Sequence, residues 1–491
     1  MNQRAKMMKW LVNKVFLADP GCAIVTIGRI RLPEWAAAAL LLVVLTSPAI
    51  VSAQERLPPQ DLWNLYLQAR SLAPVMISAH SQFVASQQAI PEARAAFLPK
   101  VTFDVQDSRG TVHLDDEGYA SYPTKGTTVS LRQSLLNVAG WEAFKQAKLI
   151  AEEGRARFSG AEQLFMLQVC ESYFSLLDAQ DDLSLAMSHI KMVEEQLQLA
   201  QHRYHAGDVT IVDEQEAEAE LERAKSDELA AANAVDRQRA ELRRRVARDV
   251  TEVVPLGDGV SLQHLKETDQ QYWVSQAVEH STDVQQRQLA SFIAARELKR
   301  IRATFLPTIS LTLSHGSGNL EYLDGQVPVN TYANQNSFHQ GSASVAMLQI
   351  SIPLFDGFST VSKERETLAL RDKAQSDLAD ARLEAEFQAK RIFLHLANSF
   401  AQQSTRASAL AAARLALASN KVGYDVGVRV NADVLHAQDV VYSAQRDLKR
   451  TRYDIILDYV RLRANAGLLC EHDLQQVNAL LTGAVVPSVS Q

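Results

Sequence analysis

The chain of 491 residues carries a formal net charge of −7 and is 47% apolar. Its length accommodates two or three domains of ordinary size. Mild acidity speaks against a nucleic-acid binder, which shows a basic domain, and the ordinary apolar content speaks against a bundle of membrane-spanning helices.

The N-terminus reads as a targeting segment. Lys6, Lys9, Lys14, Arg29 and Arg31 precede an apolar run from Ala36 to Leu45, and Val51-Ser52-Ala53 offers a small-x-small cleavage site before Gln54. Residues 1–53 are therefore expected to be a signal peptide, with a start at Met7 or Met8 giving a shorter basic region. An uncleaved anchor is the alternative, but an apolar run of about ten residues is short for a bilayer core of ~30 Å. Cys22 has no lipidation context. Beyond the segment only Cys170 and Cys470 remain, either as a disulfide or as unpaired packing residues, and without metal-ligand spacing.

From Gln54 onward the chain repeats itself. Arg94-Ala95-Ala96-Phe97-Leu98-Pro99-Lys100-Val101 returns as Arg302-Ala303-Thr304-Phe305-Leu306-Pro307-Thr308-Ile309, an offset of 302 − 94 = 208. Gly207, Asp213 and Ala217 return as Gly427, Asp433 and Ala437, an offset of 427 − 207 = 220. Such a repeat marks a duplicated structural unit. It divides the chain into a first repeat at 54–253, a second at 254–480 and a tail at 481–491.

In each repeat Phe-Leu-Pro stops a helix, because the residue before proline disfavours helical backbone. Val101, Phe103 and Val105 then alternate with Thr102, Asp104 and Gln106, and Ile309, Leu311 and Leu313 alternate with Ser310, Thr312 and Ser314. Period two predicts strands with one apolar and one polar face. The predicted strands are 100–108 and 127–135, then 308–314 and 344–352, with Ala346-Met347-Leu348 interrupting the last. The segments between them, 107–126 and 315–341, are polar and contain glycine, so they read as loops. The second is longer, which accounts for much of the growth in offset.

Proline placement marks the helices. After Pro123 the next proline is Pro255, and after Pro353 the next is Pro487. Trp141–Arg203 and Val361–Lys421 each read as one helix or a closely stacked pair, about 60 residues and ~90 Å long if continuous. Leu164, Leu167, Cys170, Phe174 and Leu177 keep three-and-four spacing, a pattern that a dimeric coiled coil also shows. Each long helix ends at a glycine-marked turn, where Gly supplies the left-handed conformation. A second helical run follows, at 213–248 and 431–466, with Asp213 and Asn431 or Asp433 as expected caps.

Four strands are too few to close a barrel, and an open sheet leaves edges that pair with other chains. An apolar-out, polar-in pattern suggests a transmembrane barrel, so a homo-oligomer sharing one barrel is expected. A soluble coiled-coil protein with a small sheet is the other reading.

Gly423-Tyr424-Asp425-Val426-Gly427-Val428-Arg429-Val430-Asn431-Ala432-Asp433-Val434-Leu435 resembles the second hairpin tip of TolC-like outer-membrane efflux and type I secretion channels. Arg203-Tyr204-His205-Ala206-Gly207-Asp208-Val209-Thr210-Ile211-Val212-Asp213 matches the first tip. The Phe-Leu-Pro strand entries, Pro353-Leu354-Phe355-Asp356-Gly357 and Ala466-Gly467-Leu468-Leu469 also look like that family. The resemblance implies an α+β membrane protein: a trimeric twelve-stranded transmembrane β-barrel, four strands per chain, continued by a long α-helical periplasmic tunnel of coiled-coil hairpins. It implies a homotrimer in outer-membrane lipid that works with a periplasmic adaptor and an inner-membrane ABC transporter or other pump. The expected cargo is a protein, such as a haemolysin-like toxin leaving by type I secretion. Drug efflux through the same pipe is the alternative, and a periplasmic coiled-coil adaptor a more distant one.

The same resemblance carries roles onto particular residues. Asp433 matches an acidic ring at the closed tunnel entrance, where three copies would attract cations; helix capping is the simpler role. The family has a second acid one turn on, where this chain has His436, so cation block should be weaker here, and a histidine gains charge at mildly acidic pH. Asp213, Tyr424 and Arg429 match a latch between the hairpins, although exposed ion pairs hold only ~0–1 kcal/mol. Gly207 and Gly427 are the expected adaptor-docking tips. Arg429 has no echo at Val209, and His436 stands opposite Glu216 in the other copy. No phosphate-binding glycine loop, nucleophile elbow, paired-histidine motif or cysteine cluster is found. The expectation is a conduit, with neither enzymatic activity nor a cofactor, binding no nucleic acid and driven by a partner.

Overall fold

The computed structural model describes residues 60–114, 118–250, 252–257, 260–319 and 340–482. The expected signal peptide at 1–53 and nearly all of the expected tail at 481–491 lie outside the described residues. The chain divides into Met1–Arg56 and Leu57–Gln491, and everything that follows concerns the second unit.

Its elements run α1 (Leu62–Leu72), α2 (Pro74–Gln87), α3 (Ala89–Arg94), β1 (Lys100–Leu114), β2 (Gly118–Leu136), α4 (Val138–Ala206), α5 (Ile211–Val246), α6 (Gln270–His280), α7 (Thr282–Ala303), β3 (Thr308–Asn319), β4 (Gln340–Ser351), α8 (Ser359–Asp425), α9 (Asn431–Asn465) and α10 (Glu471–Thr482). The two long helices are single and continuous, 69 and 67 residues, each ~100 Å at ~1.5 Å per residue. Asn137 starts α4 by accepting a hydrogen bond from Gly140 N–H at 2.8 Å. At the other end Gly207 N–H donates to Tyr204 C=O and Asp208 N–H to Arg203 C=O, both at 2.9 Å. This doubly bonded ending requires a left-handed residue, and Gly207 has φ of 83°.

The helices that follow the turns do not begin on the residues the sequence pointed to. Thr210 caps α5, and Asp213 sits three residues in, its carboxylate accepting from Thr210 N–H at 3.2 Å. This reciprocal arrangement is a capping box. Val430 precedes α9 and supplies no side-chain cap. Asn431 and Asp433 are therefore inside the helix, because Asn431 is used elsewhere.

β1 to β4 form one antiparallel sheet in chain order. The strands are longer than expected, at 15, 19, 12 and 12 residues. Most of the expected first loop is strand: Gln106 pairs with Gly126 and the ladder continues to Leu114 opposite Gly118. Pro123 sits within β2 opposite Arg109. Among the described residues β3 reaches β2 only from Gly126 onward.

Register makes the two faces of the sheet coherent. Val101 pairs with Leu131 and Phe103 with Val129. Leu131 pairs with Leu313, and Leu311 and Ile309 with Leu348 and Ile350. Directly opposed residues share a face, so these side chains form one apolar surface. Asp104, Ser130, Arg132, Thr312 and Gln349 fall on the other, which also carries Val345 and Met347, while Gln133 and His315 interrupt the apolar face. Val101, Phe103, Val105, Leu348 and Ile350 are each 60–68% exposed, so among the described residues nothing covers this surface. Among the described residues β1 pairs only with β2 and β4 only with β3, which leaves both edges open there.

The main core lies where α1, the middle of α4, the end of α5, α8, α9 and α10 meet. Tyr66, Tyr173, Phe174, Leu176, Leu242, Ile455 and Ile456 are its largest buried members, each side chain contributing on the order of 1.5–3 kcal/mol of burial. The Tyr173 hydroxyl donates to Val254 C=O at 3.0 Å and ties the inter-repeat segment to α4. Cys170 is buried and Cys470 exposed, and both are free thiols, which decides the question the sequence left open. Burial pushes the Cys170 thiol up to about 12.

Gly467 ends α9 at φ of 70°, and its carbonyl accepts from Gln163 Nε2 at 3.0 Å. A Cβ there would lie 2.0 Å from the His280 carbonyl oxygen. Gly467→Ala combines left-handed strain with a backbone clash and is expected to cost about 2–4 kcal/mol. A thermal unfolding midpoint equal to that of the parent chain would contradict it.

Candidate functional site

The sequence-predicted site residues gather at the two hairpin tips. Gly207 and Gly427 each hold positive φ, and a Cβ added at either meets nothing within 4 Å. Turn geometry, and not close approach of a neighbour, demands glycine there. The second turn repeats the first: Gly427 N–H donates to Tyr424 C=O at 3.1 Å and Val428 N–H to Gly423 C=O at 2.9 Å. Around these turns Ile211, Val212, Val422, Val426, Val428 and Val430 are exposed apolar side chains.

Asp433 is half-buried in the first turn of α9, and His436 is exposed one turn further along. Arg429 Nη1 lies 3.6 Å from Asp433 Oδ2, with the side chains 56% and 39% exposed. Such a pair contributes ~0–1 kcal/mol. The expected Arg429–Asp213 bridge is absent: among the described residues no ion pair joins the two. The Asp213 carboxylate is engaged by Thr210 in its own capping box, the Thr210 hydroxyl donating to it at 3.1 Å.

The contacts that join the hairpins involve Tyr424, of the expected latch, together with Arg203, Asn431 and Gln196. Arg203 Nη1 donates to the Tyr424 carbonyl at 2.9 Å, and its guanidinium lies 4.5 Å from the centre of the Tyr424 ring. Tyr424 is buried, and its hydroxyl has no hydrogen-bond partner among the described residues. Burial raises its pKa, against the opposing pull of Arg203. Asn431, fully buried, donates from Nδ2 to the Asp213 carbonyl at 2.8 Å, and its Oδ1 accepts from Gln196 Nε2 at 2.6 Å. α4, α5 and α9 are thus joined through one amide.

Sequence reasoning missed Arg203 and Gln196 and read Asn431 as a cap. Gln196 did leave a signal, because it occupies a core-facing position between Val193 and Ala200, both fully buried. A polar group at such a position requires a partner. Arg203 left none, since its partner lies 221 residues away.

Arg203→Ala removes a cation–π contact and a charged hydrogen bond, and is expected to loosen the tip by about 1–2 kcal/mol. Backbone amides in the last turn of α8 should then exchange roughly 5–30 times faster. Unchanged exchange would show that Arg203 does not hold the tip.

The model of the outer membrane efflux protein family matches residues 65–247 and 273–468. Alkaline protease secretion protein AprF of Pseudomonas aeruginosa is 26% identical over 425 residues, 84% of this chain and 86% of AprF. Outer membrane protein TolC of Vibrio cholerae is 23% identical over 439 residues, 89% of this chain and 98% of TolC. The solved structure of CusC, described as forming a transmembrane channel, superposes with a TM-score of 0.71 at 14% identity, covering 84% of this chain and 92% of CusC. The order of strands and long hairpins, the duplicated tips and the matched length agree: this chain is an outer-membrane protein and belongs to the outer membrane efflux protein family.

Proposed function

We propose that three copies of the chain close one twelve-stranded barrel (3 × 4 strands) in the outer membrane, and that the hairpins continue it as an α-helical tunnel in the periplasm. The observation that carries this reading is the sheet: one mainly apolar face, one mainly polar face and, among the described residues, two open edges. Fifteen residues in β1 extend ~50 Å at ~3.3 Å per residue. At a tilt of ~45° that leaves ~35 Å, enough for a hydrocarbon core of ~30 Å. Asp104, Arg132 and Gln349 then face water inside the barrel.

The channel serves as the exit duct of a tripartite machine, joined to a periplasmic adaptor and an inner-membrane ABC transporter or other pump. Its cargo is a protein leaving by type I secretion, of the haemolysin-like class. The name of AprF, a protease secretion protein, supports this cargo class; the family description, efflux, supports small molecules through the same duct. The tips at Gly207 and Gly427, with their exposed valines and isoleucine, are where the adaptor docks.

Asp433 and His436 form the constriction. Three Asp433 carboxylates around one axis concentrate cations, because low-dielectric walls focus the field. Asp213, Tyr424 and Arg429 belong to the latch, with Arg203 and Asn431 as the side chains that hold the first two in place. Arg429 is the exposed member, and its weak pairing with Asp433 leaves it able to exchange carboxylate partners.

Planar-bilayer recording tests the channel and its gate together. Purified chain is expected to conduct, Arg429→Ser to conduct more, and His436→Asp to be blocked by multivalent cations at about tenfold lower concentration, equivalent to ~1.4 kcal/mol. Equal block in wild type and His436→Asp would remove His436 from the constriction. Deleting the gene and measuring protein export beside drug sensitivity separates the cargo classes. Lost export with unchanged sensitivity is the expected result, and the reverse pattern would assign the channel to efflux.

A further inference from the structure

Above the tips, α4, α5 and α9 bring together three side chains that the tip contacts do not use. His189 on α4, Glu220 on α5 and Asp439 on α9 each present one ligand-type atom, and these atoms all lie within 4.8 Å of one another. The His189 side chain is 4% exposed. Its Nδ1 is buried with no hydrogen bond, and its Nε2 stands 3.8 Å from Glu220 Oε1, which is itself buried without a hydrogen-bond partner. Tyr442 stacks on the imidazole at 4.9 Å between centroids and 18° between planes, fixing its orientation. Nε2 is thus the nitrogen that faces the carboxylates, and Glu220 Oε1 is a buried acceptor without a partner, which is costly unless something satisfies it.

We propose that His189, Glu220 and Asp439 bind a divalent first-row transition metal ion, with zinc as the reference ion. One nitrogen and two carboxylate oxygens are a donor set suited to zinc, cobalt or manganese. Metal–ligand bonds of ~2.1 Å in a tetrahedron put donors ~3.4 Å apart, so the 3.8 Å pair needs only slight closure. Half-exposed Asp439 closes the remainder by side-chain rotation, and a water takes the fourth position. Burial lowers the His189 pKa, which keeps the imidazole in its neutral, metal-binding form.

Arg223 is the competitor. It spans the same two carboxylates, at 3.4 Å from Glu220 Oε2 and 3.2 Å from Asp439 Oδ1. Its side chain is 56% exposed, so it can swing into solvent when a cation arrives. The site therefore has two forms, arginine-bridged and metal-bridged, and each ties the first hairpin to α9. His189 lies 206 − 189 = 17 residues before the end of α4, about 26 Å along the helix at ~1.5 Å per residue.

Full-length protein in detergent, stripped with a chelator, is titrated with Zn²⁺ alone and, separately, with Co²⁺. Wild type should bind one zinc per chain more than His189→Gln. It should show the visible absorption of low-coordinate cobalt, and its unfolding midpoint should rise with zinc. Asp439→Asn, at the open rim, should lose the same site if His189→Gln folds poorly. Arg223→Ala should bind zinc about tenfold tighter, the outcome that separates a metal site from a purely ionic clamp. Equal zinc stoichiometry and affinity in wild type, His189→Gln and Asp439→Asn would mean an adventitious surface ion and overturn the proposal. Weaker zinc binding in Arg223→Ala would overturn it too.

Discussion

Open β-edges dominate the physics of this chain. A strand edge presents a row of unpaired N–H and C=O groups, and in hydrocarbon each unsatisfied group costs several kcal/mol. Among the described residues this sheet has two such edges, and one face rich in Val, Leu, Ile and Phe side chains that no other described part of the chain covers. Water tolerates the edges but not the face; lipid tolerates the face but not the edges. The proposed closure with further copies satisfies both, and it would align every helix that leaves the sheet. β2 ends at Leu136 and α4 begins at Val138; β4 ends at Ser351 and α8 begins at Ser359. Such short connections couple the direction of each hairpin to the sheet, and so to the geometry of the proposed barrel.

Stability falls off along the hairpins. The central core packs tyrosines, phenylalanines, leucines and isoleucines from six helices, α1, α4, α5, α8, α9 and α10. Nearer the tips the buried set shrinks to Val193, Ala200, Ala217, Leu221 and Leu435 on one side, and Leu410, Ala413 and Val441 on the other. Small residues allow helices to approach closely but bury little area, so less apolar free energy holds the distal turns. Polar contacts supply specificity there: the Asn431 amide, the Arg203–Tyr424 stack and the capping box at Thr210. Elements that move are drawn from the least stable parts of a fold, and the tips meet that description.

Much of this was legible in the residues. Missing prolines marked both long helices, glycines marked both turns, and period two marked the proximal half of each strand. The distal half of β1 was not legible. Ser108, Arg109, Gly110 and Thr111 break the alternation, yet backbone pairing with β2 continues through them, because ladder bonds do not depend on side-chain polarity. The cross-hairpin contacts were hidden for another reason. A sequence pattern reports which face of a helix is buried, not which distant residue it meets. Asn431 read as a cap because its local context is that of a helix start; its actual partners lie 235 and 218 residues away. Asp433 and His436 fell at the tip as expected, while Arg429 took Asp433 instead of Asp213, since the partner four residues along the same chain is nearer and the Asp213 carboxylate was already engaged.

Native mass spectrometry of the detergent-extracted protein tests closure of the sheet most directly. Three chains per particle, surviving until detergent stripping also destroys the β-signal, is the result expected of a shared twelve-stranded barrel. A stable, folded monomer with its strands intact would contradict it, because such a particle would carry two open edges that nothing satisfies.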